Sequence, residues 1–179
     1  MSRQILNSII RKKSHTSLAS VTRSNDIQIE DSDLNQAVCS HWMALITVIG
    51  NDIKITFKIQ FTTETAKYFA TIARENKELS NANSRDFIRE YCNVVAGALK
   101  HTLTKNDYLT SISLPILCRG FDDLFFTASD RSGTPTDRWQ LKNINYVLHL
   151  SSFVETSSQI KIISDDQEDT GQSGDIEFL

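Results

Sequence analysis

The chain has 179 residues, 40% of them hydrophobic and 23% charged, with a net charge of −3. That length suits one domain with tails and is enough to bury a core. The negative charge argues against general nucleic-acid binding, and no apolar run approaches the ~18 residues that would insert stably in a membrane. No apolar leader opens the sequence, so the expected location is the cytoplasm.

Residues 1–25 hold Arg3, Arg11, Lys12, Lys13 and Arg23 and no acid. Ile5, Leu6, Ile9 and Ile10 recur at helical spacing and predict a short amphipathic helix over 3–13. Residues 14–40 are rich in Ser, Asn and Asp and read as a polar connector with little core of its own. Met43 to Gly50 is an apolar run closed by the turn signal Gly50-Asn51-Asp52. From Ile53 to Phe61 the chain alternates strictly, with Ile53, Ile55, Phe57, Ile59 and Phe61 on one side. The two runs predict an antiparallel hairpin.

At residue 62 the hydrophobic period changes from two to 3.6. Thr62 and Thr63 are candidate caps for a helix over about 64–78, which the Asn/Ser cluster at 80–84 ends. A second helix is expected over 84–103, with Asn83 or Ser84 as its cap. Tyr108 to Pro115 reads as a strand, the proline marking its edge or its end, and 116–119 as a continuation beyond it. Residues 129–137 read as a mobile loop. The alternation of Ile144, Tyr146, Leu148 and Leu150 predicts another strand, and 160–163 the last one. Beyond Ser164 the acids Asp165, Asp166, Glu168, Asp169, Asp175 and Glu177 meet no base, which predicts a disordered acidic tail. The expected division is therefore 1–40 as helix and connector, 41–164 as the folded domain and 165–179 as tail. The fold class is α+β.

The helix over 84–103 carries the most informative pattern. Phe87, Ile88, Tyr91, Cys92, Val94, Val95, Ala98 and Leu99 fall on one broad arc. Asp86, Glu90, Asn93, Gly97 and Lys100 fall on the other, at steps of four and three residues. A polar helix face is ordinarily just a solvated face. Gly97 points further, because a mid-helix glycine costs about 1 kcal/mol against alanine. Nothing in its own chain requires it on an exposed face, whereas a closely packed partner backbone would.

The pattern Asp86-x-x-x-Glu90-x-x-Asn93-x-x-x-Gly97, followed by Pro115, resembles the signature of the CheC/CheX/FliY family of chemotaxis phosphatases. The resemblance runs from about residue 41 to 163 and is closest to the CheX branch, which has a single working motif. It implies a CheC-like fold, an antiparallel sheet covered by two long helices, here with a short N-terminal helix added. It implies dephosphorylation of a phosphorylated receiver domain of a response regulator. In that reading Glu90 and Asn93 are the catalytic pair, Asn93 orienting the attacking water and Glu90 anchoring the partner. Asp86, Gly97 and Lys100 belong to the docking ridge. No cofactor is expected in this chain, and the Mg²⁺ would belong to the partner. The resemblance also implies a possible homodimer. Near the N-terminus, Gln4-Ile5-Leu6-Asn7 repeats the motif spacing with Gln in place of Glu.

The chemistry is plausible from the residue types alone. An asparagine amide has one acceptor and two donors, so it can hold and orient a water without acting as a strong base. An acyl phosphate is already activated, and positioning an in-line water supplies much of the available gain. A neighbouring glutamate can pair with a partner's lysine and set the docking register. The competing reading is a non-catalytic binding module, as in flagellar-switch components of the same fold, with the ridge serving only to dock. Cys39, Cys92 and Cys118 form no CxxC pair, and His15, His41, His101 and His149 are scattered, so no metal site is expected. No nucleophile–base pair can be assembled from spacing, which disfavours a small-molecule enzyme.

Overall fold

The computed structural model describes residues 2–34, 38, 40–75, 79–120, 135–157 and 161–162. The expected acidic tail lies outside these residues, as does most of the loop expected at 129–137. In chain order the elements are α1 (Ser2–Thr22), β1 (Gln28–Asp31), β2 (Trp42–Gly50), β3 (Ile53–Phe61), α2 (Thr63–Ala73), α3 (Asn81–Lys105), β4 (Thr110–Ile112), β5 (Ile116–Arg119), β6 (Asp137–Asn143) and β7 (Tyr146–Thr156). Among the described residues the strands form one antiparallel sheet in the order β1-β6-β7-β3-β2-β4, and β5 also pairs with β2. The fold is α+β, as expected.

The predicted hairpin is present, with Ile46 opposite Phe57 and Val48 opposite Ile55. Partners in register share a face of the pleat. The same face continues through Leu150 opposite Ile59 and Trp139 opposite Leu150. Three helices cover it, and Phe57, Phe69, Phe87, Tyr91 and Trp139 lie in one buried core. Each large apolar side chain fully buried there contributes roughly 1.5–3 kcal/mol. The opposite face is only partly open. Gln60 donates to the carbonyl of Val38 at 3.3 Å and Arg138 to that of Asp33 at 3.4 Å, so these two residues, which lie between β1 and β2 in sequence, stand against it.

The first helix departs from the sequence reading. It does not stop at residue 13 but runs to Thr22, and Leu18 is fully buried with the core. Residues 14–22 are therefore not connector, and residues 28–31 add an edge strand. The helical pattern is masked by Ser14 and Ser17, which are buried rather than exposed. Ser14 is satisfied three times. Its carbonyl accepts from the Tyr91 hydroxyl at 2.7 Å, and its own hydroxyl accepts from the Trp139 indole at 3.1 Å and donates to the Arg11 carbonyl at 2.8 Å. One turn earlier, Arg11 grips both oxygens of Asp137 at 2.5 and 2.6 Å and also pairs with Asp31. A bidentate guanidinium–carboxylate pair is strong and directional, so it fastens α1 to β6 and β1.

Thr62 caps α2 as expected, accepting from the Thr65 amide at 3.1 Å. The helix ends at Ala73 rather than 78, because Glu75 turns left-handed at φ 56°. The cap of α3 is Ser80, accepting from the Asn83 amide at 3.2 Å, instead of Asn83 or Ser84. Ser84 is buried one turn inside. The strand expected over 108–115 is shorter, Thr110–Ile112, and β5 follows Pro115 as a separate strand on β2. Proline has no amide to give the ladder. At Gly120 a Cβ would stand 2.3 Å from the Ser40 carbonyl, so β5 ends where only glycine fits. Ile144 does not open the last hairpin's second strand. It sits in the turn at φ 54° and is 80% exposed, while the unanticipated β6 precedes it and β7 begins at Tyr146. Lys161 and Ile162 of the strand expected at 160–163 are not in strand conformation, and the rest of it lies outside the described residues.

Candidate functional site

Helix α3 presents the two faces its periodicity requires. Phe87, Ile88, Tyr91, Cys92, Val95 and Leu99 are buried, and Val94 and Ala98 lie half-buried at the margin. Burial pushes the Tyr91 phenol and the Cys92 thiol well above their usual values, so both stay neutral parts of the core. Tyr91 stands between Glu90 and Asn93 in sequence, yet points inward to the Ser14 carbonyl. That bond ties the centre of the motif helix to α1. It joins residues far apart in sequence, and only the inward position of Tyr91 was foreseen.

On the outer ridge, Gly97 and Lys100 are exposed, and Glu90, Asn93 and Asp86 are half-buried. The Asn93 amide donates to Glu90 Oε2 at 3.2 Å. One turn of helix separates the two residues, which is the spacing that brings side chains into contact. The contact leaves the Asn93 carbonyl oxygen and one N–H without a hydrogen-bond partner among the described residues. The amide is thus oriented by a carboxylate and still able to accept from, and donate to, a small polar molecule. Asp86 pairs locally with Arg89 at 3.1 Å, so it lies on the ridge without joining the Glu90–Asn93 pair. Beside Gly97, a Cβ would meet nothing within 4 Å. The described residues impose no steric demand for glycine there.

The second occurrence of the spacing has another fate. Asn7 donates to the Thr136 carbonyl at 3.1 Å and accepts from the hydroxyls of Thr136 at 3.3 Å and Ser152 at 3.2 Å. It holds α1 to β7 and to the start of β6. Among the described residues no group of three or more His, Cys, Asp or Glu could hold a metal ion. No described helix is long and apolar enough to cross a membrane.

A search of curated protein sequences returned no match. Solved structures do match. CheX in the CheX–CheY–BeF3–Mg²⁺ complex from Borrelia burgdorferi superposes with a TM-score of 0.66 at 13% identity, covering 83% of this chain and 96% of that one. A CheC-like superfamily protein from Shewanella sp. PV-4 gives 0.63 at 14% identity, covering 84% and 97%. The chemotaxis protein CheX from Vibrio vulnificus gives 0.61 at 12% identity, covering 82% and 99%. At such identities these matches establish the fold. The sequence profile of the chemotaxis phosphatase CheX matches residues 43–133, half of the chain and all of the ridge. The chain belongs to the CheC/CheX/FliY family of chemotaxis phosphatases, within its CheX-like branch.

Proposed function

We propose that this protein hydrolyses the phospho-aspartate of a response-regulator receiver domain, with α3 laid across the partner's active site. The observation that carries the reading is the Glu90–Asn93 pair, held at 3.2 Å on an accessible ridge. Asn93 inserts, its carbonyl oxygen accepts a hydrogen bond from one water, and that water is aligned opposite the aspartyl oxygen. Water attacks phosphorus, the bond to the aspartyl oxygen breaks, and inorganic phosphate and a free carboxylate result. Positioning is the main contribution, since the acyl phosphate is already activated. Glu90 acts twice, orienting the Asn93 amide and offering its second oxygen to a cation of the partner. Gly97 lets the partner backbone approach where the chain itself leaves open space. The Mg²⁺ belongs to the receiver domain. The crystal structure of a CheX–CheY–BeF3–Mg²⁺ complex from Borrelia burgdorferi supports the choice of partner. Pairing of two copies, expected from the family resemblance, is part of the same proposal.

The test is phosphate release from the receiver domains of the same organism, phosphorylated with acetyl phosphate, under single-turnover conditions over a range of protein concentrations. Glu90→Ala is expected to weaken the complex by about 1–3 kcal/mol, a defect that recedes at saturating protein. Asn93→Ala is expected to keep its defect at saturation. Equal, concentration-independent losses would refute this division of roles. Binding without hydrolysis in the wild-type protein would favour the non-catalytic docking module.

A further inference from the structure

Two arginines from distant parts of the chain converge on one indole at the N-terminal end of α3. The guanidinium carbon of Arg85 lies 4.3 Å from the Trp42 ring centroid, and that of Arg119 lies 4.2 Å from it. Trp42 is half-buried at the start of β2, and its indole N–H donates to Thr63 Oγ1 at 3.2 Å, which fixes the ring. Arg119 is the register partner of Trp42 on β5 and is exposed. The two positive charges are thus held less than about 9 Å apart, each attracted to the indole face but repelling the other. Arg11, Arg23 and Arg89 each hold a carboxylate of the chain. Among the described residues neither Arg85 nor Arg119 has one.

A guanidinium stacked on a ring keeps its in-plane N–H groups available while losing side-chain freedom. That arrangement is preorganised for carboxylates, which it can grip with two parallel hydrogen bonds. Packing against Trp42 would need one arginine, and a second adds repulsion that no carboxylate among the described residues relieves. Placement supplies the occupant. Arg85 precedes Asn93 by eight residues on the same helix, about 12 Å along the axis and about 80° around it. A standard interface buries about 800 Å² on each partner, so one partner seated over Asn93 also reaches Arg85.

We infer that the Arg85–Trp42–Arg119 stack is a second docking point for the same partner and receives acidic side chains beside its phosphorylated aspartate. The inference rests on the phosphatase reading and adds what selects the partner: a receiver surface with carboxylates at that distance from the phosphorylation site. Attraction of this kind acts mainly on encounter and specificity, and salt weakens it.

The experiment uses the full chain and the phosphorylated receiver domain that the wild-type protein dephosphorylates fastest. Arg85→Gln and Arg119→Gln are each expected to raise the protein concentration for half-maximal hydrolysis by about 3- to 10-fold, with the defect receding at saturation. The salt dependence of that concentration should flatten. Lys12→Gln, an exposed residue of α1, controls for net charge and should leave both unchanged. Trp42→Phe retains a ring for the two arginines and should be the mildest of the stack variants. Melting temperature is read for each variant, and a shared loss of melting temperature with unchanged half-maximal concentration would make the stack purely structural. Half-maximal concentrations and salt slopes equal to wild type would overturn the inference while wild-type hydrolysis left the phosphatase reading standing. No hydrolysis of any receiver domain by wild type would overturn both.

Discussion

Helices α1 and α3 each place an asparagine three residues after a Gln or a Glu, and the fold puts the two asparagines to different uses. Asn7 has its carbonyl oxygen taken by the Thr136 and Ser152 hydroxyls and one N–H by the Thr136 carbonyl, so its amide has become part of the joint between α1 and the sheet. Asn93 keeps one contact, to Glu90, and faces outward with acceptor and donor to spare. The difference lies in what surrounds each helix. Helix α1 lies against β6 and β7, where buried hydroxyls must be paired. The polar ridge of α3 faces away from the core, and its buried side alone carries the packing. An identical spacing is therefore a structural device in one place and a candidate reactive group in the other.

The largest effect expected from this comparison is a double dissociation. Asn93→Ala should lower the single-turnover hydrolysis rate by about 10- to 1000-fold, with a melting temperature near wild type. Asn7→Ala should instead cost about 1–2 kcal/mol of stability, because it strands the Thr136 carbonyl and the Ser152 hydroxyl, and should leave hydrolysis per folded molecule unchanged. Denaturant unfolding beside phosphate release reads both. A loss of activity in the Asn7 variant at full folding would erase the distinction.

Arg11 extends the same contrast to the whole of α1. Its pair with Asp137 is largely shielded, with the two side chains 26% and 15% exposed. Arg11→Ala should therefore destabilise the protein by about 2–3 kcal/mol, since it strands a mostly buried carboxylate. Saturating hydrolysis should survive in the folded fraction. If instead stability held and hydrolysis fell, α1 would have to be counted with the functional surface.

Gly97 should separate stability from docking in opposite directions. Nothing blocks a Cβ there, so Gly97→Ala is expected to stabilise α3 by about 0.5–1 kcal/mol. The same methyl group should weaken the complex with the receiver domain, read as a higher concentration for half-maximal hydrolysis. A variant both more stable and equally active would show that no backbone approaches this position.

The smallest expected effect distinguishes sheet from ridge by pH. His149 of β7 lies opposite Gln60 and Gln140, and burial together with the positive charges of Arg138 and Lys142 lowers its pKa. A histidine depressed in the folded state contributes stability that is fully present above its unfolded value of about 6.5 and is lost as pH falls through the folded one. Melting temperature should therefore decline on acidification below about pH 6.5, and His149→Gln should flatten that decline. A profile unchanged by the substitution would remove His149 as its source.

Much of this was legible before any coordinates. The β2–β3 hairpin follows from strict alternation, because a period of two admits only a strand with one buried side. The two faces of α3 follow from the angular separation of its polar and apolar residues. Less was legible where burial depended on distant partners. Ser14 and Ser17 look like connector residues until Tyr91 and Trp139 are brought to Ser14. β1 is a polar edge strand, exposed along its length, and leaves no hydrophobic signature. The Ser80 cap was passed over because several equally good caps crowd residues 80–84.

By itself, the sequence determined the family, the α+β class, the hairpin and which side of α3 carries Glu90, Asn93 and Gly97. Periodicity and a short motif are local, and local geometry fixes which residues share a face. Only the tertiary structure decided that Asn7 is spent inside the fold, that Arg11 clamps Asp137 and that Arg85 and Arg119 meet on Trp42. Those outcomes join residues far apart in the chain, and no local period encodes which distant groups a packed sheet and helix layer will bring within hydrogen-bonding or stacking distance.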